Sequence, residues 1–127
     1  MKVLLSIKPE FAEKIFEGTK RYEFRRSVFK NKNVKTVVVY ASSPVQRVIG
    51  EFEIDSILND ELKQLWNITK EFSGITENFF FDYFQNKEKG YAIKIKKTRK
   101  YNKSLSLKDD FNVNPPQSFM YLEEFFV

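Results

Sequence analysis

The chain has 127 residues, 42% of them hydrophobic and 31% charged, the balance of one globular domain with its own core rather than of a disordered segment. It contains neither Cys nor His, which excludes disulfide partners, thiolate chemistry, Ser–His pairs, a His general base and the usual nitrogen–sulfur zinc sites. The net charge is +5, with residues 1–50 and 87–108 basic and residues 51–86 and 109–127 acidic. The two basic segments either meet as one face that attracts phosphate backbones or lie along solvated strand edges where Lys discourages aggregation. No apolar stretch approaches the ~20 residues of a membrane span, and residues 1–7 are too short for a signal-peptide core. A cytoplasmic protein with no membrane partner is expected. Any metal would be held by oxygen, and neither a metal nor another cofactor is expected.

Residues 3–7 form a short apolar run, read as a buried first strand. Pro9 then opens a helix where a missing N–H costs least. Phe11, Ala12, Ile15 and Phe16 give its buried face, and Gly18 is placed to stop it. Residues 20–26 alternate, with Tyr22 and Phe24 on one face and Arg21, Glu23 and Arg25 on the other. A polar, basic loop spans 27–33. Val37, Val38, Val39 and Tyr40 are apolar on both faces, as in a central strand, which Ser42-Ser43-Pro44 breaks.

A strand over 47–57 carries Val48, Phe52 and Ile54 on one parity and Glu51, Glu53 and Asp55 on the other. A helical segment is expected at 59–86 within a single domain over 1–127. Its first helix, capped by Asn59, runs to Phe72 with Leu62, Leu65, Trp66 and Thr69 inward, and Gly74 stops it. Thr76 caps a second, with Phe80, Tyr83 and Phe84 in the core. Residues 91–97 alternate as a strand. Residues 98–114 read as polar with a short strand near 105–107, and Asn114-Pro115-Pro116 as the start of a helical turn. A last apolar patch covers 121–127. Helices do not follow every strand, so the pattern predicts an α+β fold with a mixed, curved sheet rather than a doubly wound one.

The chemistry concentrates at 18–26. Glu23 and Arg25 share a strand face. Glu can accept from a base amino group, and Arg offers a planar fork of donors to phosphate or a ring carbonyl. An ordinary solvated ion pair fits the same spacing. Glu51, Glu53 and Asp55 are better explained as a cross-strand ladder against Lys94 and Lys96 than as a cation site. Ser42 and Ser43 offer either an anion pocket or simple turn chemistry. Trp66 and the Phe residues at 79–81 fit helix core better than a base-stacking platform.

Leu5-Ser6-Ile7-Lys8-Pro9, the helix after it, and the Gly18, Lys20, Glu23, Arg25 pattern resemble the signature of the ASCH domain, a family related to the PUA-like β-barrels. Tyr40-Ala41-Ser42-Ser43-Pro44 with Gly50, and Pro115-Pro116-Gln117-Ser118-Phe119, resemble it too. The resemblance implies a PUA-like mixed β-barrel of five or six strands with flanking helices, and a cleft for RNA or a nucleotide-like ligand. Carried over by residue, the ligand set is Lys8, Lys20, Glu23, Arg25, Ser42, Ser43 and Ser118. Lys8, Lys20 and Arg25 would face phosphate or carbonyl groups, Glu23 a base edge, and the three serines would be neutral donors. Some relatives resemble amidohydrolases that deacylate a modified cytidine with a Lys, a Thr and a Glu, and others ribonucleases. Here Lys20 matches the Lys, but Glu23 stands where the Thr would be and Thr19 falls outside the matching position. A nucleic-acid-binding module is therefore the leading reading. The alternatives are a hydrolase using Lys20 and Glu23, and a protein-interaction module.

Overall fold

The β-branched run of residues 37–39 sits in the middle of a six-stranded sheet. A computed structural model describes residues 1–123. The strands are β1 (Lys2–Ile7), β2 (Tyr22–Arg25), β3 (Thr36–Ala41), β4 (Arg47–Glu61), β5 (Lys89–Leu105) and β6 (Phe119–Leu122). Their order is β2-β5-β4-β3-β1-β6. β1 and β3 run parallel and the other neighbours antiparallel, so the fold is α+β with a mixed sheet.

Period-two alternation splits the core between the two faces. Val3, Leu5, Val37 and Val39 pack with Ala12 and Ile15 of α1 (Pro9–Glu17). Leu4, Val38, Tyr40 and Val48 pack on the opposite face with Leu107, Phe111 and Leu122. The helix begins at Pro9 and ends at Gly18, whose φ of 89° is the left-handed geometry that Gly adopts without steric cost. A third cluster joins Phe24 and Ala92 to Leu65 of α2 (Leu62–Thr69) and Phe80 of α3 (Glu77–Tyr83), together with Phe84. Thr76 caps α3, its hydroxyl accepting from the Phe79 N–H at 3.1 Å.

Four expectations are corrected. The sheet does not close into a barrel. β2 and β6, four residues each, are its outer strands, and where curvature brings β2 towards β1 a side chain spans the gap: Arg25 Nη2 donates to the Ser6 carbonyl at 2.8 Å. Asn59 is not a helix cap but lies in β4, opposite Tyr91 of β5. Residues 98–105 continue β5, because Thr98, Arg99, Lys100 and Leu105 pair with β4 and the Glu51 carboxylate offsets the charge of Arg99 opposite it. Pro115 and Pro116 start no helix. The segment leads into β6, which pairs with β1. The end of the expected patch at 121–127 lies outside the described residues. Among the described residues no helix is long and apolar enough to cross a membrane.

Candidate functional site

The turn after α1 sends Lys20 inward instead of to solvent. The Arg21 N–H donates to the Phe72 carbonyl at 2.8 Å, locking this turn to the helical segment, and Lys20 is only 2% exposed. Its ammonium donates to the Ser73 carbonyl at 2.7 Å and lies over the rings of Phe24 (4.9 Å) and Phe11 (5.4 Å). Gly74 presses on its stem: a Cβ there would stand 2.6 Å from Lys20 Cβ. Gly74→Ala is therefore expected to cost about 1–3 kcal/mol and to displace Lys20. A parent-like urea midpoint would show that the loop yields freely.

Glu23 and Arg25 are both mostly buried. Arg25 Nη2 bridges Glu23 Oε2 at 3.0 Å and the Ser6 carbonyl. Arg25 Nε is buried without a hydrogen-bond partner. These three charged side chains border a cavity of about 190 Å³, walled by Phe11, Phe79 and Tyr83 and edged by Ser6 and Lys8. Lys8 Nζ sits 5.5 Å from the centre of the Phe79 ring. Burial pushes the Tyr83 hydroxyl above its ordinary pKa, so it stays a neutral donor at physiological pH.

Burial also pulls the Lys20 ammonium from its ordinary 10.5 down to about 8. Glu23 opposes that fall, and Lys14 and Arg25 add to it. Between these values the unfolded chain holds a proton that the folded protein has released, so stability rises with pH through that window. From pH 8 to pH 10 the expected gain from Lys20 is about 2 kcal/mol. Above pH 10 the raised hydroxyls of Tyr83 and Tyr101 act in the opposite sense. Urea unfolding across pH 7–10 should show the rise in the parent and a flat profile in Lys20→Met. A rise in the variant would assign the titration to another group.

Of the residues read from the sequence, Lys8, Lys20, Glu23 and Arg25 border this one cavity. Ser42, Ser43 and Ser118 are not in its lining. Ser42 donates its N–H to the Ile7 carbonyl (2.9 Å), and the Ser118 carbonyl accepts from the Ser6 N–H (3.4 Å), so each of these two is bonded to a residue that does line it. Ser43 is exposed in the turn after β3. Sequence reasoning missed Phe11, Tyr83, Ser6 and above all Phe79, assigned to core but 36% exposed at the cavity wall. The signal was there: on a helix, three successive Phe cannot all face one core.

Outside the cavity, the acidic face of β4 is a charge ladder. Glu51 is reached by Arg99 (2.9 Å), Lys2 (3.5 Å) and the Tyr101 hydroxyl (2.8 Å), and Asp55 by Lys94 (3.8 Å). Burial alone would raise the Glu51 carboxyl, but the hydrogen bonds from Tyr101 and Arg99 and the nearby cations hold it below its ordinary value. Among the described residues no group of three or more Asp or Glu is assembled for a metal.

The family model described as the ASCH domain matches residues 5–102. The chain belongs to the ASCH family. The ASCH domain-containing ribonuclease of Zymomonas mobilis is 30% identical over 124 residues, covering 95% of this ASCH chain and 84% of that protein. The crystal structure of ASCH from Zymomonas mobilis superposes with a TM-score of 0.90 at 29% identity, over 98% of this chain and 90% of that one. The large ribosomal subunit protein uL22 of Ureaplasma parvum is 29% identical over 122 residues. The match covers 95% of this chain but only 39% of uL22, so this ASCH chain spans well under half the length of that relative.

Proposed function

We propose that this ASCH domain binds RNA by taking one unpaired base, or a modified nucleotide, into the cavity bordered by Lys20, Glu23 and Arg25. The observation that carries the reading is the burial of three charged side chains around a space walled by aromatic rings. Buried charges are costly unless paired; here Arg25 pairs with Glu23 and Lys20 with the Ser73 carbonyl, and all three still border a cavity rather than being wholly packed over. About 190 Å³ is below the roughly 300 Å³ at which drug-sized ligands are usually housed. It suits a single flat ring. RNA is read mainly in single strands, with bases splayed out and stacked on aromatic side chains. Phe79 offers that surface, Glu23 an acceptor for a base amino group, and Arg25 and Lys8 donors for carbonyl or phosphate. Ser42, Ser43 and Ser118 belong to the proposal only as second-line donors. The reading treats residues 1–127 as one cytoplasmic domain with PUA-like kinship, in which the helical segment supplies a wall of the site.

A second reading, cleavage of the RNA so held, is favoured by the relative that is named a ribonuclease. Lys20, partly neutral near pH 8, would then serve as base with Glu23, and Arg25 would offset charge developing on the phosphoryl oxygens.

Titrating a labelled short single-stranded RNA tests the binding reading. Phe79→Ala, a change at an exposed ring, should weaken binding by about 1–3 kcal/mol and leave the fold intact. Lys20→Met should abolish any cleavage. Binding unchanged by Phe79→Ala and Arg25→Met would place the RNA elsewhere.

A further inference from the structure

β5 is paired on both sides for only part of its length. β2 covers Tyr91 to Lys94, and the last bond across is the Ile95 N–H to the Arg21 carbonyl at 2.9 Å. Beyond it, among the described residues, only β4 is paired with β5. The free edge carries Lys96, Lys97, Lys100 and Lys103, all exposed. The neighbouring Lys94 and Arg99 have carboxylate partners in Asp55 and Glu51. The four lysines have none within ion-pair distance among the described residues, although Lys97 stands opposite Glu53 in register.

We infer that this free edge, from Lys96 to Lys103, is a binding ribbon for the phosphate backbone of single-stranded RNA. At a strand rise of ~3.3 Å per residue it extends about 23 Å, enough for several nucleotides. Charge complementarity selects the occupant: cations spread along both faces of one strand edge, three of them with no carboxylate opposite in register, beside backbone N–H groups that no further strand covers among the described residues suit a polyanion that is flexible along one dimension. The ribbon starts where β2 stops covering β5, and β2 supplies Glu23 and Arg25 to the cavity. The inference takes its partner from the RNA reading above but does not depend on the cavity.

Lysines on a sheet edge also prevent edge-to-edge association, and the test separates the two roles. The full chain and its K96E/K97E/K100E/K103E variant are titrated with labelled uridine 3-mer and 12-mer between 50 and 200 mM salt. A Glu edge stays charged and guarded but repels phosphate. The parent should bind the 12-mer at least tenfold more tightly than the 3-mer. The variant should lose that gain, keep 3-mer binding, and show a log K against log salt slope shallower by about 3, from roughly 0.7 per lost contact. If the 3-mer binds neither protein while the parent alone holds the 12-mer, the cavity reading fails and the ribbon stands. A variant that keeps the 12-mer affinity and slope overturns the ribbon. Should the fourfold change not fold, Lys96→Glu with Lys100→Glu is expected to make the slope shallower by about 1.4, half of the fourfold effect, and no change of slope overturns the inference equally.

Discussion

Replacing Glu23 with Ala is expected to destabilise the protein by about 3–5 kcal/mol, the cost of leaving a buried charge without its partner, and to abolish ligand binding. Glu23 is 7% exposed and is the anion against which Arg25 is held at 3.0 Å. Without it, Arg25 keeps only the Ser6 carbonyl, with Nε already lacking a partner. Lys20 loses the carboxylate whose charge raises its pKa, so it becomes more largely neutral at pH 8. Glu23→Gln keeps the shape and a hydrogen-bond acceptor for Arg25, and should cost less than the Ala change. Urea unfolding at pH 7 measures both. A loss below 1 kcal/mol in Glu23→Ala would mean that the pair is solvated and that the cavity is not built around it.

Phe80→Ala should cost a similar amount, about 3–5 kcal/mol. Phe80 is fully buried, and its ring meets Phe84 (4.9 Å), Phe81 (5.0 Å), Trp66 (5.1 Å) and Phe24 (5.2 Å). These rings come from α2, α3 with the Phe84 that follows it, and β2, so no single neighbour can move into the space without disturbing another. The damage reaches the site through Phe24, which packs edge-on against Phe80 and also carries Lys20 over its face. Binding measured where the variant is still folded should therefore be weakened too. Phe80→Leu, which retains most of the volume, is expected to lose under about 1.5 kcal/mol. Comparable losses for the two substitutions would show that the cluster depends on ring geometry rather than on filled space.

Local signals were legible in the sequence wherever one residue type decides the geometry. Pro9, Gly18, Gly74 and Thr76 punctuate the helices as expected, because each acts through its own backbone or cap. The two-sided apolar run at 37–40 gave the central strand for the same reason. Tertiary pairing overrode the local reading elsewhere. The polar stretch from 98 to 105 looks like loop, yet β4 holds it as strand, and Asn59 has the chemistry of a cap but sits in the same ladder. The candidate site was half legible. The alternation at 20–26 put Glu23 and Arg25 on one face, but no local pattern could say that Lys20 is buried, since that depends on the 73–74 loop closing over it. Nor could it fetch Phe79 and Tyr83 from more than fifty residues away.

Ser6 ties that site to the far end of the chain. Its carbonyl takes the Arg25 guanidinium, its hydroxyl donates to the Pro116 carbonyl at 2.8 Å, 110 residues away in sequence, and its N–H reaches the Ser118 carbonyl. β6 is a four-residue outer strand, the kind of element that opens first in native-state fluctuations. When it opens together with residues 116–118 just before it, Ser6 loses two of its restraints, and the seat of Arg25 loosens with it. Ser6 thus links the outer strand to the cavity: an occupant that tightens Arg25 against Ser6 is expected to slow the exchange of backbone hydrogens in β6, at the opposite edge of the sheet from β2.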